Sequence, residues 1–192
     1  MTSTIAPARH PAPHTIARLR VPDAARMRAL RLEMLADSPL AFLESLAEAA
    51  ARPHEHFRAH IAHNIRTGTA AQFVAVEDGR FVGHAGGVVL AADRGTTVVF
   101  AVYVTPRLRG TGLVGALIEA VAQWSRDERR PELMLEVVNG NDRAVRAYER
   151  LGFRDTGVRV PHPVIPGLTE LQMRRAADRM GTKEVKLRTD TC

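Results

Sequence analysis

Hydrophobic and polar side chains recur with two different periods along the chain, and these periods predict a mixture of strands and helices. Period-two alternation, or a short apolar run, predicts strands at residues 15–20, 72–76, 81–90, 96–104, 132–138, 153–160 and 168–174. A spacing of three to four residues predicts helices at residues 22–37, 40–65 with a break at Pro53, 113–127 and 141–151. The pattern thus predicts seven strands and about four helical segments.

The second and third strands are predicted to pair as a hairpin, because Asp78 and Gly79 between them favour a tight turn. A second turn is predicted at residues 93–95. The strand that follows, TTVVFAVYV at residues 96–104, consists almost entirely of β-branched or aromatic residues. This composition predicts that both of its faces are buried.

Length and composition predict one globular domain. The chain has 192 residues, 45% hydrophobic and 25% charged, and the domain is expected at residues 15–175. Residues 1–14 are rich in proline and alanine and residues 176–192 are polar, so both are expected to be flexible tails. The one cysteine, Cys192, cannot form a disulfide within the chain. Because no apolar run has the length of a signal peptide or membrane helix, a cytoplasmic protein without a membrane partner is expected.

The net charge of +6 raises the question of nucleic-acid binding. The arginines are dispersed beside acidic residues, as in residues 127–130, so no nucleic-acid partner is expected. Metal binding is a second question, since His56 and His60 lie one helical turn apart. No third ligand follows at a suitable spacing, and no metal is expected.

Residues 107–117, RLRGTGLVGAL, fit two phosphate-binding patterns. The glycines at 110, 112 and 115 match the dinucleotide fingerprint G-x-G-x-x-G, whereas Arg107, Gly110 and Gly112 match the acyl-CoA pattern R-x-x-G-x-G. A dinucleotide fold is disfavoured because antiparallel hairpins precede the motif and about 80 residues remain, too few for a doubly wound sheet. In the second interpretation, backbone N–H groups around the glycines and the start of the next helix bind a pyrophosphate.

The continuation strengthens the second interpretation. Strand 132–138 leads through a turn into a helix that either Asn141 or Asp142 caps, and Gly152 is placed to end that helix in a left-handed conformation. The apolar face of this helix contains Tyr148, which is expected to point toward the space between the fourth and fifth strands.

These residues resemble the GNAT superfamily of N-acetyltransferases. The resemblance extends over residues 15–175 and is strongest in V-Y-V-T-P-R-L-R-G-T-G-L and in L-E-V-V-N-G-N-D-R-A-V-R-A-Y-E-R-L-G-F. It implies an α/β (α+β) GNAT fold, in which about four helices flank a mixed sheet of about seven strands. The sheet is splayed between strands 4 and 5, and acetyl-CoA occupies the opening as the cofactor.

The resemblance also assigns cofactor contacts. The backbone of Val102 and Val104 would bind the acetyl carbonyl and the pantetheine arm, and Asn141 would contact the pantetheine. The pyrophosphate would be held by residues 107–113, among them Arg107, Arg109, Gly110, Thr111, Gly112 and Leu113.

Transfer of an acetyl group to an amine requires a base for the amine and an acid for the departing thiolate. Tyr148 resembles the acid of the family, since a phenol stays protonated at neutral pH; the alternative is a buried aromatic residue without a chemical role. Many members of the family carry a glutamate on the fourth strand, but residues 98–102 of this strand include no carboxylate. Glu136 is the substitute base, because its spacing E-x4-N-x6-Y resembles that of members that acetylate protein N-termini; otherwise it is an outward-facing strand residue.

The acceptor is expected to be a primary amine of a small molecule, peptide or protein. His162 in the proline-rich linker and Glu170 at the start of the last strand are the candidate acceptor-binding residues. A homodimer is compatible with the resemblance, although no residue pattern identifies an interface. The alternative function is a catalytically silent acyl-CoA-binding regulatory module. The absence of a carboxylate from the fourth strand is the observation that supports this alternative.

Overall fold

The computed structural model describes residues 14–178, so most of the two predicted tails, and Cys192, lie outside the described residues. A seven-stranded sheet has the order β1-β2-β3-β4-β5-β7-β6. Its strands are β1 (Thr15–Arg18), β2 (Ala70–Glu77), β3 (Arg80–Leu90), β4 (Asp93–Val104), β5 (Glu132–Val138), β6 (Arg154–Pro161) and β7 (Thr169–Ala176). Only β4 and β5 are parallel neighbours within the described sheet.

Five α-helices accompany the sheet within residues 14–178. They are α1 (Ala24–Asp37), α2 (Leu46–Ala51), α3 (His54–Thr67), α4 (Leu113–Asp127) and α5 (Asp142–Arg150). The predicted break at Pro53 divides one expected segment into α2 and α3, because proline cannot donate the backbone hydrogen bond that a continuous helix needs. The prediction of a mixed α/β fold with a seven-stranded sheet is confirmed.

The core consists of two hydrophobic clusters. In one, Leu117 and Val121 of α4 pack against Leu133 and Leu135 of β5. In the other, the helices α1 and α3 pack against β2 and β4, and Met34 is completely buried there. The sheet is therefore covered on both sides, as expected for a mixed sheet that contains a parallel pair.

One predicted turn is wrong. The pattern predicted a turn at residues 93–95, but Leu90 pairs with Asp93, so the turn comprises Ala91 and Ala92 and β4 begins directly after it, at Asp93. Gly95 lies in the exposed start of β4, where a glycine is tolerated. Its presence gives residues 93–95 a sequence pattern typical of a turn. The hairpin turn at Asp78 is confirmed, with a positive φ at that residue and at the glycine that follows.

β4 separates from its parallel neighbour after a short contact. Thr96, Thr97 and Val98 pair with residues 132–134 of β5, and the pairing ends there. Further along, Ala101 has a φ of 50°, and it and Val102 together oppose one residue of β3, which is a β-bulge. Residues 100–102 are half-buried rather than buried on both faces as predicted. The predicted splay between the fourth and fifth strands is confirmed.

Within the described residues, no helix combines the length and the apolar composition required to span a bilayer.

We expect Gly87→Ala to lower the free energy of unfolding by about 1–3 kcal/mol, because the added methyl group overfills the core. Its Cβ would lie 2.8 Å from Val121 Cγ1 and 2.9 Å from both Thr97 Cγ2 and Trp124 Cζ3. Urea unfolding of the two proteins measures the difference. The matched control is Gly95→Ala, whose Cβ would meet nothing closer than 3.6 Å. Equal effects of the two substitutions would contradict the packing argument.

Candidate active site

A cavity of about 570 Å³ opens where β4 and β5 diverge. Its walls are residues 99–104 of β4 and 135–138 of β5, with α5 on one side and the first turn of α4 at one end. The volume is in the range typical of small-molecule sites. Because the two strands are not hydrogen-bonded here, the facing backbone groups of β4 have no strand partner in the described sheet.

The glycine turn forms one end of the cavity. Gly110 has a φ of 84° and Gly112 a φ of 88°, conformations that favour glycine. Gly112 caps the N-terminus of α4, where the first backbone N–H groups of a helix have no acceptor within the helix. Both glycines line the cavity. This end therefore presents N–H donors and the positive end of a helix dipole to a ligand.

The two arginines of the glycine motif have different positions. Arg109 lines the cavity, and its Nε donates to the Val104 carbonyl at 3.0 Å while its guanidinium pairs with Asp37. Arg107 is exposed, lies outside the cavity wall, and pairs with Glu77. The hydrogen bond from Arg107 lowers the pKa of the Glu77 carboxyl. Both cations thus have carboxylate partners in this structure.

The side chains of Thr111 and Leu113 do not line the cavity. The Thr111 hydroxyl donates to the Leu108 carbonyl at 2.8 Å, and Leu113 is buried in the core. The Thr111 amide also donates to the Leu108 carbonyl, at 3.4 Å, so of these two residues only Leu113 has a backbone N–H available for the predicted pyrophosphate contact.

Tyr148 and Asn141 reach the cavity from α5. The Tyr148 ring packs edge-to-face on Phe153, with 5.8 Å between ring centroids, and burial raises the pKa of Tyr148 to about 12. Its hydroxyl has no hydrogen-bond partner among residues 14–178. Asn141 is the N-cap of α5 and its side chain accepts from the Ala144 N–H at 3.3 Å. Of the two candidate caps of this helix, Asn141 and Asp142, Asn141 is therefore the one observed.

Two carboxylates also line the cavity. Glu136 of β5 pairs in register with Gln172, and Glu170 of β7 pairs with Val138, so the acids lie on adjacent strands. Burial raises the pKa of the Glu170 carboxyl; the nearby His162 lowers this pKa, and the nearby Glu136 raises it. This acidic pair can bind a cationic group or accept a proton.

His162 is buried and does not line the cavity. Its Nδ1 accepts backbone N–H bonds from Val164 at 3.2 Å and from Ile165 at 3.0 Å. The imidazole therefore organises the linker between β6 and β7, near Glu170.

The histidines of α3 lie elsewhere. His56 is exposed, and its Nε2 lies 2.9 Å from Nη1 of Arg52, while Nε2 of His60 lies 3.2 Å from Nδ2 of Asn64. Nowhere in residues 14–178 do three or more histidine, cysteine, aspartate or glutamate side chains come together as a potential metal site.

A match to the acetyltransferase (GNAT) family extends over residues 33–153, which include β4, β5 and the helix that carries Tyr148. The chain belongs to the acetyltransferase (GNAT) family. GNAT proteins use acetyl-CoA, so the predictions of an acyltransferase and of this cofactor are confirmed.

Individual relatives agree with the family assignment. An uncharacterised N-acetyltransferase of Mycobacterium tuberculosis is 28% identical over 114 residues, which cover 55% of this chain and 72% of the relative. A GNAT acetyltransferase from Streptococcus pneumoniae has a TM-score of 0.72 at 17% identity and covers 85% of this chain and 99% of its own. The yncA protein of Salmonella typhimurium, solved with acetyl-CoA, has a TM-score of 0.71 at 19% identity, with coverages of 91% and 99%. At such identities the two structures support the fold alone.

Two arginines that line the cavity are not among the residues predicted from the sequence. Arg143 and Arg150 belong to α5, and neither forms an ion pair with another described residue. Their spacing of seven residues places them on the same side of a helix. That spacing is a usable signal, but the arginines of the whole sequence are dispersed beside acidic residues, a pattern typical of a solvated surface.

Both tyrosines of the chain are expected to titrate well above the usual pKa of about 10. Burial raises the pKa of Tyr148 to about 12, and burial together with Glu33 raises that of Tyr103 to about 12. Ultraviolet titration of the native protein should therefore show no tyrosinate near pH 10, whereas the urea-unfolded protein should ionise there. Since the unfolded state releases these protons first, stability should fall as the pH rises from 10 toward 12.

The single variants Tyr148→Phe and Tyr103→Phe each retain one phenol, so the ionisation measured in each variant belongs to the tyrosine that remains. A native phenol that ionises at its ordinary pKa would contradict the expected burial of that side chain.

Proposed function

We propose that this GNAT protein transfers the acetyl group of acetyl-CoA to a primary amine by direct attack in a ternary complex. The observation that carries the proposal is the cavity between β4 and β5. N–H donors of the glycine turn, two carboxylates and Tyr148 all line it. This arrangement matches an elongated ligand with an anionic diphosphate and a neutral thioester arm.

Coenzyme A is proposed to lie along the cavity with its diphosphate at the glycine turn. Amides of residues 110, 112 and 113 would donate to the phosphate oxygens, and the positive end of α4 would add to the attraction. Arg143 and Arg150 are suitable cations for the phosphates because both line the cavity and neither forms an ion pair with another described residue. Val104 and Asn141 would contact the pantetheine arm, which would replace the missing strand partner of β4.

The amine is proposed to bind beside Glu136 and Glu170. Glu170 would attract a cationic acceptor, and His162 would keep the adjacent linker in place through its two backbone hydrogen bonds. Glu136 would take a proton from the ammonium, directly or through water, because only a neutral amine can attack a carbonyl carbon. The acceptor class is thus an amine small enough, or extended enough, to reach these two carboxylates.

Attack forms the C–N bond and places negative charge on the former carbonyl oxygen. The Val102 N–H, at the bulge of β4, is the proposed donor to that oxygen. Collapse of the intermediate would break the C–S bond, and Tyr148 would donate its phenolic proton to the departing sulfur. The proton that the attacking nitrogen loses would return to the tyrosinate through water. Burial raises the pKa of Tyr148 to about 12, so the proton is present at neutral pH, and the same burial strengthens the thiolate as a base.

Tyr148→Phe should lower kcat by about 100-fold or more, because general acid catalysis contributes on this scale. The affinity for coenzyme A should change by less than about twofold, since only the hydroxyl is removed and ring packing on Phe153 remains. Thiol release with a panel of amines measures turnover, and calorimetry measures binding. Unchanged turnover rejects Tyr148 as the acid. Cofactor binding by the wild type without thioester cleavage for any amine would favour the silent regulatory module.

Glu136→Gln should lower kcat/KM at neutral pH by about 100-fold, because the isosteric amide cannot accept the proton. The matched control is Glu132→Gln on the same strand, where the carboxylate pairs with Arg174 at 2.9 Å and lies outside the cavity. Activity of both variants is measured across the pH range. If Glu170→Gln removes the activity and Glu136→Gln does not, the base is Glu170.

A further inference from the structure

His84 of β3 is a buried polar residue that the proposed chemistry does not use. It is 1% exposed and lies beside the bulge of β4. Its Nδ1 donates to the carbonyl of Ala101 at 2.7 Å, and its Nε2 lies 2.9 Å from the side-chain oxygen Oε1 of Gln72 on β2. The ring therefore connects three neighbouring strands through one side chain.

The hydrogen-bond directions follow from the charge of the ring. Burial lowers the pKa of His84 to about 4, the Ala101 carbonyl opposes this shift, and Arg31 of α1 adds to it. A neutral imidazole carries one proton, and a carbonyl oxygen can only accept. The Ala101 oxygen can only accept, whereas an amide side chain can exchange its oxygen and nitrogen positions by rotation. The proton is accordingly assigned to Nδ1, directed at Ala101, and the Gln72 amide, rotated by 180°, donates its N–H to Nε2.

The carbonyl that His84 holds belongs to a strained residue. Ala101 has a φ of 50°, which is unfavourable for any residue with a Cβ. Ala101 and Val102 together oppose the single residue Ala85, so no regular ladder fixes their peptide planes. The bond from His84 is a fixed contact that keeps the Ala101 carbonyl turned toward β3.

The peptide group that follows Ala101 is the one that carries the Val102 N–H. Its carbonyl and N–H point in opposite directions because a trans peptide is planar. Fixing the Ala101 oxygen toward His84 thereby directs the Val102 hydrogen away from β3, toward the side where β5 has separated and the cavity lies.

We propose that His84 is a positioning residue, which orients the Val102 N–H toward the acetyl carbonyl by holding the Ala101 oxygen. The proposal rests on the proposed function, since it assumes that acetyl-CoA places its carbonyl at β4. It adds a role for a side chain that touches neither cofactor nor acceptor. Gln72 contributes by fixing the other nitrogen of the ring.

The test compares two amide substitutions of His84 in the full chain. In His84→Asn the amide nitrogen can occupy the place of Nδ1 and still donate to Ala101. In His84→Gln the amide reaches the place of Nε2, so the contact with Gln72 is kept and the one with Ala101 is lost. Calorimetry measures the affinity for acetyl-CoA and for coenzyme A, which lacks the acetyl carbonyl.

His84→Gln should weaken acetyl-CoA binding about fivefold, the scale of one hydrogen bond, and leave coenzyme A binding unchanged. Its kcat should fall about tenfold or more, since the same N–H would stabilise the oxyanion. His84→Asn should restore most of both. A purely structural histidine would lower the affinities for the two ligands equally, and that result overturns the proposal. Equal loss in His84→Asn and His84→Gln also overturns it.

Ala101→Gly provides a second, independent test that does not alter the histidine. Glycine adopts a positive φ without strain, so a bulge containing it depends less on the bond from His84. His84→Gln should therefore have a smaller effect on kcat in the Ala101→Gly background than alone. Additive effects contradict the proposed coupling.

If the wild type binds neither ligand, the proposed function itself fails. If it binds both ligands and the His84 variants behave alike, only the role of His84 fails.

Discussion

The separation of β4 from β5 is the constraint on which the other features depend. The two strands pair through three residue pairs and then diverge, although both continue for several more residues. A strand edge inside a domain has backbone donors and acceptors that require partners. An extended ligand between the strands can provide them. The candidate site is therefore a gap in the hydrogen bonding of the sheet, bordered by α5 on one side and by the first turn of α4 at one end.

The charges around this gap favour main-chain binding of phosphate. Arg107 and Arg109 were expected to hold the diphosphate, yet each has a carboxylate partner, and Arg109 also bonds the end of β4 through the Val104 carbonyl. Arg109 consequently fixes the glycine turn to the strand. The amides of the turn are directional and need no side-chain ordering, whereas the α5 arginines add a less directional attraction.

Local sequence signals predicted those parts of the fold that local interactions determine. The bounds of β5 agree with its apolar pattern, and the ends of α5 follow from the Asn141 cap and the positive φ of Gly152. The bulge at Ala101 had no signal, because alanine does not favour a positive φ and the carbonyl is held by a histidine 17 residues away. The pairing of Arg109 with Asp37, 72 residues apart, depends likewise on the tertiary fold.

The environments of the two tyrosines indicate which of them can act as the acid. Both line the cavity, and both have a pKa raised to about 12, so protonation alone does not distinguish them. The Tyr103 hydroxyl already donates to Glu33 at 3.1 Å, which leaves no proton for a departing thiolate. The Tyr148 hydroxyl has no acceptor among the described residues. A ligand sulfur would be its first partner, and that difference, more than acidity, supports Tyr148 as the proton donor.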